Sequence, residues 1–537
     1  MRRLFTAVIA LAAAICLCSC AAGDAIRNAG EAVAGIFAEN ETEPTEAPTE
    51  TEPAAEVTND ICIGIYDFDT FDPLNTASAT VKDACGFIFE PLFDVDSSYK
   101  ASPRLAESIE ISSDGLTLAV HLRQGVIWHD GTELTSADVV YTINRIKGGT
   151  TNYGELAAPI TTAYAQDTYT VLMALSRPVP EAAAMLSFPI VKNGSTFSNS
   201  PDGSVVGTGP FYMAGMSGEN EYRLAAFDAY YGGRAKLDSV YISMIPDKDK
   251  YISLFGANEI NIATSETLDM MTFMPKSNAK MTDFVSNDMT FLGFNTGNAV
   301  FADADTRRAV SMLIDRDSIV SHVYFSRAVA ADYAVNPQSW LNFDTRTKLV
   351  DDAQGAVTLL RGAGWKTDEN GSYYRDQSRR RIYFEAEILV NEDSAQKVAA
   401  AEEIASKLRT AGIAASVDEC SYEEYLSRIE AGNYDMFIGE TKLLPNGDLT
   451  SLVGSAGNYF GYANAEVDAL LAQMGTVTLE SDIKAVSISL YEKVRDESPF
   501  APICFAKKSI VTSAKIKYGV NPSDTGYVRA AESWGVK

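Results

Sequence analysis

Histidine is nearly missing from this chain, with three in 537 residues. They stand apart at His121, His129 and His322, which leaves little for a histidine-based metal site. Cysteine is scarce too. After Cys20 only Cys62, Cys85, Cys420 and Cys504 follow, without a C-x-x-C or a Cys/His spacing of the zinc kind. Four cysteines allow three pairings and the spacing chooses none; free buried thiols are the expectation. Basic residues are outnumbered, 44 Lys and Arg against 72 Asp and Glu, for a net charge of -28. That balance argues against nucleic acid as a partner and fits a solvated extracellular surface, with cationic solutes a further implication. The chain lacks a Gly-x-Ser-x-Gly elbow, a His-Glu-x-x-His pair and a P-loop, so no catalytic residue, cofactor or metal is assigned. Paired carboxylates for glycoside hydrolysis stay open, because any acidic chain supplies them. Beyond Leu17 no apolar run reaches bilayer-spanning length.

What is present begins with export. Arg2 and Arg3 precede an apolar run from Leu4 to Leu17 that ends in Leu17-Cys18-Ser19-Cys20. A basic start, a short apolar run and small residues describe a signal peptide, 1–19. The cysteine closing it resembles a bacterial lipobox, which implies cleavage before Cys20 and diacylation of its thiol. Two acyl chains hold a soluble body stably at a membrane. The stretch 20–57, rich in Glu, Thr, Pro and Ala from Glu39 on, buries too little to fold and reads as an extended acidic tether.

The remaining body, about 480 residues, is long enough for two or three domains. Ile61 to Ile65 reads as a strand and Phe71-Asp72-Pro73-Leu74-Asn75 as a turn. Ser113-Asp114-Gly115 is a turn before Leu116–Leu122, where apolar residues recur at every second position, as in a half-buried strand. His129-Asp130-Gly131 is a second turn, and Thr135 with Asp138 forms a capping box that opens a helix. Gly207-Thr208-Gly209-Pro210-Phe211 feeds a strand, not a helix, so it is no phosphate loop. From Arg381 to Gly439 the pattern predicts strand Ile382–Val390, helix Ser394–Thr410, strand Ile413–Val417, helix Ser421–Ala431 and strand Asp435–Ile438. That β-α-β-α-β order implies a parallel sheet with right-handed crossovers, whose ligands sit beyond the carboxyl ends of the strands.

The run Pro103–Arg145, the Asp72-Pro73 turn, Glu90-Pro91-Leu92, Gly207–Pro210, Phe294-Asn295-Thr296 and Asp305–Arg316 occur in one order. Together they resemble the family 5 extracellular solute-binding proteins, receptors of peptide, oligopeptide and nickel ABC importers, from Ile61 to about Phe505. The resemblance implies an α/β, periplasmic-binding-protein-like type II (cluster C) fold: two α/β lobes with a hinge, plus an inserted domain. Lobe I would comprise 58–88, 205–292 and 505–537, the inserted domain 89–204 and lobe II 293–504, with the hinge near Asn295 and Cys504. It implies a monomeric, non-enzymatic receptor, lipid-anchored on the extracellular or periplasmic face of a bacterial membrane, which captures a peptide-like solute and passes it to permease subunits. Other open readings are a cationic small molecule, an oligosaccharide or a nickel complex as solute, and a sensory lipoprotein uncoupled from transport.

By the same resemblance Thr76, Ala77 and Ser78 line the ligand cleft. The chain departs from the peptide-binding pattern after Ile438. Those members have Gly-Trp there and then an aspartate that pairs with the peptide's amino group. This chain has Gly439-Glu440-Thr441-Lys442, with Leu443, Leu444 or Pro445 at the aspartate's place. A buried ammonium needs a counter-charge, so Glu440 and Asp448 are candidate substitutes, beside Thr441. Asn295 is a candidate polar contact; Trp340 and Tyr459, with Phe301 and Tyr462, are candidate aromatic walls.

Overall fold

Apolar strands from distant parts of the chain assemble into one large mixed sheet. The computed structural model describes residues 58–149, 151–197, 205–265, 279–343, 352–377 and 380–536. The expected signal peptide, Cys20 and the tether 20–57 lie outside the described residues. Across the sheet the strands run Ala414–Cys420, Glu385–Asn391, Met436–Lys442, Ala279–Phe294, Phe500–Ser513, Ile262–Ser265, Asp60–Ile65, Ser239–Met244, Glu221–Ala226 and Phe211–Gly218. Ala328–Ala330 also pairs with Phe500–Ser513. Asp60–Ile65 and Ser239–Met244 are parallel, as are Glu385–Asn391 and its two neighbours. Parallel strands are covered on both faces, which explains why Ile61, Ile63, Ile65, Ile388, Leu389 and Val390 are all buried.

The predicted β-α-β-α-β run is present with two differences. Ser394 caps the helix Ala395–Thr410, accepting from Lys397 N at 3.4 Å, and Ala400, Ala401, Ile404, Ala405 and Leu408 form its buried face. Ser421 caps Tyr422–Glu430 in the same way. The stretch read as one strand from Ile382 to Val390 is two, Arg380–Tyr383 and Glu385–Asn391. The first pairs with Tyr373–Gln377 in a small separate sheet, and the chain changes partner at Phe384. The last strand runs on beyond Ile438 to Lys442, because Ala279–Phe294 pairs with it over its whole length.

Two strands cross the whole body: Ala279–Phe294 and Phe500–Ser513, antiparallel to each other. Their register shifts between Val285 and Met289 and again between Thr290 and Phe291, opposite Lys507 to Pro502. Cys504 faces Thr290 at this irregularity, whereas Asn295 stands past the far end of its strand. The apolar core divides at the same place. Phe284 and Ile510 pack with Ile61, Ile63 and Ile242, while Val285 and Phe505 pack with Phe291, Phe437 and Phe460. A third cluster gathers Phe294, Ile388 and Ile404.

The stretch 89–204 carries a four-stranded antiparallel sheet, Ala106–Ile111, Thr117–Leu122, Thr170–Leu175 and Ile160–Ala165 in spatial order. Its Leu118, Val120 and Trp128 belong to the same apolar cluster as Ile61 and Ile242. Asp138 accepts from Thr135 N at 2.8 Å, closing the predicted capping box at the start of Ser136–Gly148. Gly207 and Gly209 lie against the backbone of Phe87 and Ile88: a Cβ at Gly209 would stand 2.6 Å from the Phe87 carbonyl oxygen. The Gly-rich turn is thus a close backbone approach that a side chain would prevent.

Candidate functional site

A cavity of about 960 Å³ opens beside the crossing strands. The first half supplies its wall from Tyr66 to Gly86 and from Ser523 to Ala530. The inserted stretch adds Phe89 to Val95, Tyr99, Arg104 and Thr151 to Leu156. The second half adds Lys442 to Pro445.

Each wall is fixed by local hydrogen bonding. Asp69 accepts from Thr76 Oγ1 at 2.6 Å and from Ala77 N at 2.7 Å. Burial opposes its ionisation, but these bonds win and hold the carboxyl below its ordinary value. The buried Asp72 accepts from Leu74 N, Asn75 Nδ2 and, at 2.5 Å, Arg145 Nη2. Asn152 Nδ2 donates to Thr76 O at 2.7 Å, joining the inserted stretch to this turn. On the other side Asn287 grips Leu443 in both directions, each bond 3.0 Å, and so sets Lys442–Pro445 at the cavity.

Charge on the cavity wall comes mostly in pairs. Glu90 is fully buried, and its Oε1 accepts from Arg104 Nε at 2.6 Å, Tyr230 OH at 2.7 Å and Tyr231 OH at 3.0 Å. Burial still raises its carboxyl above the ordinary value, against the pull of Arg104. Lys442 Nζ lies 3.0 Å from Asp524 Oδ2, and Lys508 Nζ lies 2.9 Å from Asp288 and 3.8 Å from Asp524 Oδ1. The Asp524 side chain is 4% exposed, and its Oδ1 accepts no hydrogen bond among the described residues. Lys82 is exposed to the cavity, with its ammonium 4.9 Å from the centre of the Tyr153 ring.

The residues expected from sequence fall in several places. Thr76 and Ala77 line the cavity. Ser78 sits just behind them: its hydroxyl donates to Tyr66 O and caps the helix Ala79–Cys85. Glu440 points elsewhere, 3.2 Å from Lys397. Thr441 is a ladder residue opposite Met289 and is not in the cavity wall. The Asp448 carboxylate is 2% exposed and bonds Arg177 Nη2 at 2.7 Å, holding its loop to the inserted stretch. Asn295 clamps a turn, donating to Gly432 O and Tyr434 O. Trp340 bonds Ser98 O through its backbone N and lies under Lys100. Tyr459 is 61% exposed away from the cavity wall, while Phe301 and Tyr462 are buried in the core. The four cysteines of the body are unpaired thiols, as expected; burial pushes Cys62 and Cys504 up to about 12. Among the described residues no group of three His, Cys, Asp or Glu is placed to hold a metal ion.

Sequence reasoning missed Lys82, Tyr153, Lys508 and Asp524. Lys442 stood in the stretch after Ile438 where the chain departs from the peptide-binding pattern, which was the available signal. Nothing local marks Asp524, whose partners Lys508 and Lys442 stand on strands earlier in the chain.

Two halves of one large sheet joined by a pair of long antiparallel strands, with a cavity of mixed apolar and polar wall beside them, form an arrangement suited to holding a small solute. The profile of bacterial extracellular solute-binding proteins, family 5 Middle, matches residues 100–458, and the chain belongs to that family of binding proteins, not enzymes. The oligopeptide-binding protein AppA of Bacillus subtilis (strain 168) is 24% identical over 469 residues, 80% of this chain and 83% of that protein. Among solved structures, HbpA2 from Haemophilus parasuis matches with a TM-score of 0.76 at 20% identity, over 89% of this chain and 100% of that one. NikZ from Campylobacter jejuni, in complex with Ni(L-His), matches at 0.64 and 20% identity, over 89% and 99%. The fold is that of the family.

Proposed function

We propose that this chain is the solute receptor of an ABC importer and that its solutes are peptides or peptide-like molecules. The supporting observation is the cavity. At about 960 Å³ it lies at the upper end of the range for small-molecule sites, and apolar wall alternates with fixed polar groups along it. The similarity to an oligopeptide-binding protein over four fifths of the chain points the same way. On this reading the receptor is a monomer, held by diacylated Cys20 at the extracellular face, and hands its solute to permease subunits. Thr76 and Ala77 contact the solute, and closure is absorbed by the irregular register at Val285–Phe291.

Calorimetric titration of the full-length protein with tri- to pentapeptides, oligosaccharides, polyamines and nickel–histidine tests the reading. Micromolar or tighter binding of peptides is expected. Binding confined to any of the other three classes overturns the peptide assignment. Peptide binding with no loss of peptide uptake on deletion overturns the transport role and favours a sensory one.

A further inference from the structure

Among the described residues, none of 89–204 belongs to the apolar clusters of the second half of the large sheet. The two meet through polar contacts that flank the cavity wall. Lys442 to Pro445 line the cavity, and the residues that follow turn to the inserted stretch. Asn446 Nδ2 donates to Pro180 O at 3.1 Å, and Asp448 Oδ2 accepts from Arg177 Nη2 at 2.7 Å. Asn446 is 1% exposed and the Asp448 carboxylate 2%. Tyr99 lines the cavity as well, and both its neighbours reach across. Ser98 O accepts from Trp340 N at 2.8 Å, while Lys100 Nζ lies 2.8 Å from Glu480 and 5.4 Å from the centre of the Trp340 ring.

We propose that these contacts form a latch: Arg177 on Asp448, and Ser98–Lys100 on Trp340, hold the cavity shut before any solute arrives, so that the free receptor rests closed and loads by transient opening. The inference concerns the empty protein and holds for any class of solute. Asp448 decides the balance. In the closed form its carboxylate is out of water, and its one ion pair among the described residues is with Arg177. Without that guanidinium the charge would stay buried and unpaired, and parting the inserted stretch from the second half would return it to water. Lys100 and Glu480 are exposed on both sides, so their pair adds little by itself. The Trp340 ring adds a second hold, with Lys484 5.7 Å from its centre beside Lys100. A joint without a shared apolar cluster can also open reversibly, since its hydrogen bonds are exchanged for bonds to water and no core is exposed.

Trp340 reports the state of the latch. Trp128, Trp365 and Trp534 are at most 1% exposed, whereas Trp340 is half-buried at the joint. The test combines acrylamide quenching of tryptophan fluorescence with small-angle scattering, on dialysed full-length protein shown free of solute by native mass spectrometry. Wild type, Arg177→Met and Arg177→Lys are compared, Trp340→Phe in each background subtracts the three buried tryptophans, and thermal melting checks folding. Wild type and Arg177→Lys should scatter as the closed structure does, with Trp340 shielded. Arg177→Met should raise the open-to-closed ratio roughly tenfold, read as a larger radius of gyration and stronger quenching of Trp340. A solute-free wild type that is already expanded overturns the latch, and this arm needs no variant. An Arg177→Met protein as compact and as shielded as wild type overturns it as well. Should Arg177→Met fail to melt cooperatively, Asp448→Asn, which removes the buried charge along with the ion pair, takes its place under the same two outcomes.

Discussion

His129 is held as the neutral imidazole by two backbone groups. Its Nε2 faces Gly209 O at 2.9 Å, and its Nδ1 accepts from Gly207 N at 3.2 Å. The two contacts fix one tautomer, and a proton on Nδ1 would cost the second bond. Burial pushes the group from 6.5 down to about 4, against the opposing effects of Gly209 O and Asp130. A histidine with a depressed value gives stability that is complete above about 6.5 and is lost as pH falls toward about 4. The loss amounts to about 3 kcal/mol at most. Urea unfolding at pH 7.5 and 4.5 should show a smaller fall for His129→Gln than for wild type. Parallel falls would assign the acid sensitivity to carboxylates alone. His129 was read from the sequence as a turn residue, and the turn is real: Gly131 follows with φ +83. Its partners at Gly207 and Gly209 were not legible, because nothing local links residues so far apart.

Elements with strong local signals were read well, and those defined by pairing were not. The caps at Thr135, Ser394 and Ser421 each appear where a hydroxyl precedes an amphipathic run. The break at Phe384 was invisible, since both neighbouring strands alternate correctly and only their partners differ. The register shift at Val285–Met289 was equally hidden, and a buried side chain from another part of the chain braces it. Asn336 is 2% exposed, and its Nδ2 reaches Ser286 O at 2.8 Å, Val285 O at 3.2 Å, Asn287 Oδ1 at 3.0 Å and Tyr99 OH at 3.1 Å. The amide has two hydrogens to share among these oxygens, and Val285 O also accepts from Tyr99 OH, so Asn336→Ala removes two buried donors, with Ser286 O losing the shortest contact. A loss of about 2–4 kcal/mol of unfolding free energy is expected by chemical denaturation. A loss under about 0.5 kcal/mol, the range of ordinary surface changes, would show that water replaces the amide without cost.

For the whole molecule, the family resemblance implied the fold class that is found, while the cavity wall depends on distant segments coming together. Thr76 and Ala77 were placed in it from the Asp72-Pro73 turn, but Lys82, Lys442 and Asp524 meet only after folding. The packing also shows how the body should come apart. The inserted sheet shares one apolar cluster with the first half of the large sheet, and the second half has clusters of its own. In native-state hydrogen exchange, Thr117–Leu122 and Ser239–Met244 should therefore lose protection together, at a denaturant concentration distinct from that for Glu385–Asn391. Separate loss of the first two would make the inserted stretch an independent folding unit.

The position of Phe500–Ser513 has a consequence for synthesis. This strand lies between Ala279–Phe294 and Ile262–Ser265, so both remain without that partner until nearly the whole chain has been made. The cavity waits longer, since Ser523 to Ala530 form part of its wall. From Phe294 until Ser513 has been made, a nascent chain therefore carries these two open strand edges, and its cavity is incomplete until Ala530. Premature termination between Phe294 and Phe500 should yield an aggregation-prone chain, not a weak receptor.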